Sequence, residues 1–166
     1  MLFCVKLERK PVMTSLLGEY EVSMDAKGRF LVPSGFRKQL PEGEDTRFII
    51  SRGLNNIVTL YPEKSWEQFA AKLSRLNEFN TQASTLKRVL LGGASPVELD
   101  SAGRLLVPKS LQEFAGLKKD LVFLAVDNKV EIWDKDTYYE HIRQQSANLN
   151  ELANSVFGNS FMDPFQ

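Results

Sequence analysis

Asp25-Ala-Lys-Gly-Arg-Phe-Leu-Val-Pro33 is written a second time, seventy-five positions later, as Asp100-Ser-Ala-Gly-Arg-Leu-Leu-Val-Pro108. Asp, Gly, Arg, Leu, Val and Pro recur at the same offsets. Upstream, Val22 matches Val97 and Met24 matches Leu99. Self-similarity at a fixed period means that one supersecondary unit has been used twice. The chain is therefore read as two similar halves sharing a core.

Within the first copy, Glu19-Tyr-Glu-Val-Ser-Met24 alternates polar and apolar residues, the period-2 signature of a half-buried strand. Asp25 to Gly28 reads as a tight turn. The Asp side chain can bond the backbone two residues on, and Gly supplies the positive φ that such turns require. Arg29 to Val32 reads as the return strand, and Pro33, lacking an N–H, stops it. A short helix is expected from Ser34, with Phe36 and Leu40 on one face. Its second-copy counterpart carries Ser110-Leu-Gln-Glu113, a capping-box pattern, then Phe114, Leu117 and a helix-ending Gly116.

Two further strands follow in each half. The first half offers Arg47–Ser51 and Ile57–Tyr61, joined across Gly53-Leu-Asn-Asn56. The second offers Leu121–Val126 and Lys129–Trp133, joined by Asp127-Asn128, a two-residue hairpin signal. A helix closes each half. Trp66, Phe69, Leu73 and Leu76 form one amphipathic stripe, with Ala83, Leu86 and Leu90 continuing to Gly92-Gly93. From Asp136, Tyr138, Ile142, Leu149 and Leu152 form the other. Four-stranded halves this small bury little core alone, so the copies are expected to intertwine or stack. The expected division is a leader over 1–15, a first half with helical extension over 16–92, a second half over 93–145, and a helix end with loose tail over 146–166.

Composition excludes several function classes. No apolar run approaches the roughly 20 residues that span a bilayer, and charged residues interrupt any secretory signal near the N-terminus. The lone Cys4 fits a reducing, cytoplasmic compartment. One histidine, His141, leaves no His-centred metal cluster or catalytic triad to assemble, and no phosphate-binding loop is present. The reading is a non-enzyme with no cofactor, no metal and no small-molecule substrate. Net charge is zero but uneven: residues 1–90 hold 14 Lys/Arg against 10 Asp/Glu, and residues 91–166 hold 7 against 11. The asymmetry leaves room for a local basic face on the first half and permits head-to-tail attraction between subunits, while uneven surface charge without a purpose is the competing reading.

The repeated Asp-x-x-x-Arg has two readings. Asp25 with Arg29, and Asp100 with Arg104, can pair across their turns, with Gly28 and Gly103 as turn formers. Alternatively, an Arg just past a turn lifts a planar five-donor fork off the surface, a geometry suited to phosphates and guanine edges. Lys27 adds charge at the first turn, where the second has Ala102. Residue types alone leave both readings open.

Several blocks together resemble the MraZ family of bacterial transcriptional regulators. They are Leu17-Gly-Glu-Tyr-Glu21, Asp25–Arg29 with Val32-Pro33, Phe36-Arg-Lys38, Leu73-Ser-Arg-Leu76, and Arg88-Val-Leu-Leu-Gly92 with Ala94-Ser95. Asp100 through Pro108, Ala115-Gly-Leu117 and Glu131-Ile-Trp-Asp134 complete the set. The resemblance implies a mainly β fold with peripheral helices (α+β), a pseudo-two-fold pair of AbrB-like swapped-hairpin β-barrel halves. It further implies a DNA-binding repressor of its own division and cell-wall operon. Its partners would be double-stranded promoter DNA with short direct repeats and further copies of itself in a ring-shaped homo-oligomer, in the cytoplasm at the nucleoid.

The family's DNA-contacting arginine falls on Arg29, with Arg104 as its second-copy equivalent. Lys27, Arg37 and Lys38 join the candidate site as nearby basic residues. The acidic second half, lacking a Lys at 102, makes Arg104 the weaker expected contact. Family members begin near the equivalent of Leu16–Gly18, so residues 1–12 read as an extension and Met13 as the natural start. An oligomeric protein-interaction module and an AbrB-like antitoxin are the alternative functions, and the tandem duplication argues against the latter.

Overall fold

The computed structural model describes residues 15–158; the leader and most of the tail lie outside them. The fold is mainly β with helices at its periphery. In chain order the elements are β1 (Leu16–Ser23), β2 (Arg29–Leu31), α1 (Ser34–Arg37), β3 (Arg47–Arg52), β4 (Val58–Pro62), α2 (Glu63–Ser74) and α3 (Thr81–Gly92). The pattern then repeats as β5 (Ser95–Glu98), β6 (Arg104–Leu106), α4 (Lys109–Phe114), β7 (Asp120–Asp127), β8 (Lys129–Asp134) and α5 (Lys135–Ser146), followed by α6 (Leu149–Phe157).

The two copies are intertwined. One sheet runs β1-β7-β8-β4-β3-β5 with every neighbour antiparallel, and β2 pairs with β6 in a separate ribbon. Exchanging each strand for its counterpart in the other copy reverses the sheet order and leaves it unchanged, so a pseudo-two-fold axis passes between β4 and β8. This corrects the pairing implied by reading Arg29–Val32 as a return strand. The turn at Asp25 does close, through Gly28 N–H to Asp25 O at 3.0 Å and Asp25 N–H to Arg29 O at 2.7 Å. Beyond it the arms part: β1 ladders with β7 and β2 with β6.

Alternation puts Phe48 and Ile50, Val58 and Leu60, Leu121 and Phe123, and Val130 and Ile132 on one face of the sheet, each fully buried. The ribbon covers that face with Phe30 and Leu105, helped by Phe36 of α1 and Leu111 of α4. Phe123 receives Tyr20, Phe30 and Phe36 around its ring at centroid distances of 6.3, 6.0 and 4.9 Å. Three aromatics from one copy thus close on one from the other. On the opposite face Tyr61 meets Trp66 and Phe69 of α2, and Trp133 meets Tyr138 and His141 of α5. His141 therefore occupies the place that Phe69 holds in the first copy, an aromatic packing role.

Several local expectations hold. Val126 and Lys129 pair across Asp127-Asn128, with Asp127 at φ 55°. Gly116, at φ 60°, follows the end of α4. The capping box does not form: α4 starts two residues early, with Pro108 at its N-cap and no side-chain cap bond. Ser110 thereby sits inside the first turn, where its hydroxyl cannot serve as the cap. The C-terminal helix is also broken, ending at Ser146 and restarting at Leu149, because the polar run Arg143–Ser146 interrupts its apolar stripe. No helix among the described residues is long and apolar enough to cross a membrane.

Candidate nucleic-acid interface

Each turn is built by its aspartate. Asp25 Oδ1 accepts the backbone N–H of Lys27 and of Arg29, both at 2.9 Å, and Oδ2 accepts Arg29 Nε at 2.9 Å. The second copy repeats this: Asp100 Oδ1 takes the Ala102 and Arg104 amides at 3.0 and 2.9 Å, and Oδ2 takes Arg104 Nε at 2.8 Å. The amide of Arg29, opposed by some desolvation and aided by its guanidinium and the Lys27 amide, holds the Asp25 carboxyl below the usual aspartate range. The amide of Arg104, backed by its guanidinium and the Ala102 amide, does the same for Asp100. The structural reading is met: each aspartate pairs with its arginine across the turn. Anchoring Nε aims each guanidinium while its terminal nitrogens make no hydrogen bond among the described residues.

The β2–β6 register places these arginines together. Arg29 faces Leu106, Phe30 faces Leu105, and Leu31 faces Arg104. Residues directly opposite share a face, so Arg29, Leu31, Arg104 and Leu106 all point to solvent while Phe30 and Leu105 point into the core. The two arginines stand diagonally on that outer face, roughly 8 Å apart between Cα atoms.

Each turn docks on the helix of the other copy. Gly28, at φ 84°, lies so close to α4 that a Cβ there would stand 2.4 Å from Gln112 Nε2. Gly103, at φ 81°, lies against α1, where a Cβ would stand 3.1 Å from Arg37 Nη1. Positive φ and close approach together require glycine at both places. Arg37 thus belongs to the second turn, the one lacking a lysine, although Asp45 Oδ2 engages its Nε and Nη2 at 3.1 and 2.9 Å. Lys27 is exposed at the first turn. Lys38 is exposed at the end of α1 and bonds through its backbone alone among the described residues. The turns thus bring together Lys27 with Arg29 and Arg104 with Arg37, while Lys38 follows Arg37 at the end of α1.

Sequence reading missed Lys109. It lines a groove with Asp25, Lys27, Gly28 and Gln112, adding a third cation at the first turn. Its repeat equivalent is Ser34, so nothing near Asp25 in sequence points to it.

Each copy of the repeat is matched by a known family. The model of the MraZ proteins, described as antitoxin-like, matches residues 15–89 and again residues 90–159. The chain belongs to the MraZ family. A protein named transcriptional regulator MraZ from Christiangramia forsetii is 40% identical over 152 residues, covering 91% of this chain and 98% of its own length. Its namesake from Lachnoclostridium phytofermentans is also 40% identical, over 147 residues, covering 87% and 99%. One from Thermoanaerobacter is 36% identical over 138 residues, covering 83% and 94%. The two MraZ matches follow one another along the chain, as the two runs of strands do.

Proposed function

We propose that the chain is a sequence-specific DNA-binding transcriptional regulator that represses its own division and cell-wall operon by binding short direct repeats in the promoter. The observation that carries this is the pair of aspartate-anchored arginines on one solvent face of the ribbon, flanked by Lys27, Lys109 and Arg37. The relatives' name, transcriptional regulator, supports the regulatory part of this reading. Phosphate contacts from these cations supply most of the affinity, and the arginine forks reach base edges. The protein acts in the cytoplasm, at the nucleoid, and needs no cofactor.

Self-assembly into a ring is part of the same proposal. The exposed apolar residues Phe79, Leu86 and Val89 near α3, and Leu149, Val156 and Phe157 on α6, suit contacts between copies. A ring of identical heads would meet successive repeats along a promoter.

Footprinting the full chain on DNA upstream of its own gene tests the reading. Protected short repeats are expected, with binding that weakens steeply as salt rises; a flat salt response would count against phosphate contact. Arg29→Ala should abolish the footprint while circular dichroism and oligomer size stay native. A fall to monomer would instead favour the protein-interaction module.

A further inference from the structure

The outer face of the ribbon holds two leucines as well as two arginines. Leu31 is 60% exposed and Leu106 52%, at equivalent positions of the two copies. A single exposed leucine needs no explanation. Here two are placed alike, each directly opposite an arginine, where a solvated strand face would ordinarily carry threonine or a charge. The anchored guanidiniums beside them make a second copy of this same basic face an unfavourable partner.

We propose that Leu31 and Leu106 read thymine methyl groups in the DNA major groove, each within a step or two of a base contacted by the arginine across the ribbon. This rests on the DNA-binding reading proposed above and deepens it. A two-stranded antiparallel ribbon fits the groove, roughly 12 Å wide. The apolar feature that base edges offer there is the thymine C5-methyl, while guanine O6 and N7 offer the acceptors an arginine fork matches. Side chains facing each other across a ladder stand about 5 Å apart at Cβ, against a rise of about 3.4 Å per base pair, so their tips reach bases one or two steps apart. Arg29 with Leu106, and Arg104 with Leu31, thus form two reading units related by the pseudo-two-fold axis. Each unit is suited to a guanine one or two steps from a thymine.

The test uses the full chain and the promoter fragment upstream of its own gene, with footprinted thymines replaced one at a time by deoxyuridine. This removes the methyl and keeps the pairing. Wild-type protein should bind roughly fourfold more weakly for each contacted methyl lost. Leu31→Ala and Leu106→Ala should bind the unmodified fragment more weakly by a similar factor. Each should become indifferent to deoxyuridine at its own position, with an unchanged salt slope because no phosphate contact is lost. Both side chains point to solvent, so native circular dichroism is expected. Equal binding of thymine and deoxyuridine DNA by the wild type would overturn this inference alone. So would leucine variants that still discriminate, or that change oligomer size without changing affinity. Failure of the wild type to bind any promoter fragment would overturn the DNA-binding reading and this inference with it.

Discussion

At the scale of single residues, the carboxylates of Asp25 and Asp100 organise more than any other groups. Each carboxylate is held below its ordinary range, first by a backbone amide and then by a guanidinium. A depressed folded value means that the stabilisation is fully present above the ordinary aspartate pKa and is lost as pH falls through the lower folded one. The urea midpoint of the wild type should therefore fall more steeply below about pH 4 than that of an Asp25→Asn, Asp100→Asn double variant, and run parallel to it above about pH 5. The glycines make the complementary demand. Gly28→Ala forces a Cβ into a left-handed conformation and onto Gln112, whose Nε2 donates to Val107 O at 2.8 Å. A loss of about 1–3 kcal/mol in chemical denaturation is expected, from backbone strain and the displaced hydrogen bond.

At the scale of elements, helix starts separate by what the N-cap does. Asn80 caps α3 through its side chain, accepting Gln82 and Ala83 N–H at 2.9 and 3.1 Å. Ser110, for all its capping-box pattern, makes no cap bond to α4. Asn80→Ala should therefore cost about 1 kcal/mol and Ser110→Ala within about 0.5 kcal/mol, read from urea midpoints. Pattern legibility fails at α4 because Pro108 already occupies the N-cap, leaving Ser110 two positions too late to serve as one. The strands were more legible. Apolar runs bounded by turn residues located both central strands in each copy to within one or two residues, since such runs are what a buried strand requires. They could not name the ladder partner of β2.

At the scale of the whole molecule, every copy depends on the other. β1 and β5 find their sheet partners only across the repeat, and Phe123 is enclosed by Tyr20, Phe30 and Phe36. Residues 16–92 expressed alone should lack native circular dichroism and a cooperative melt. Mixing them with residues 93–158 should restore both; a folded, monomeric half would refute the intertwined core. The same crossing distributes charge. The first turn gathers Lys27, Arg29 and Lys109, whereas the second has Arg104 and an Arg37 shared with Asp45. In fluorescence titrations, Arg104→Ala should weaken promoter binding less than Arg29→Ala, and Lys109→Ala should lower the salt slope by about one.

By itself the sequence determined the turn chemistry, the strand positions, the duplication and the family, because each is written in local spacing or in residues matched one by one. It also singled out Arg29 and Arg104. Tertiary structure alone decided that the arms of each turn part company, that Arg37 serves the second turn and Lys109 the first, and that Leu31 and Leu106 stand opposite the arginines. The physical reason lies in the repeat. Two near-identical copies offer each strand near-identical partners, so alternation cannot choose between pairing within a copy and pairing across it. That choice falls to non-local packing, which closes one shared core where two separate halves would each be too small to bury their own.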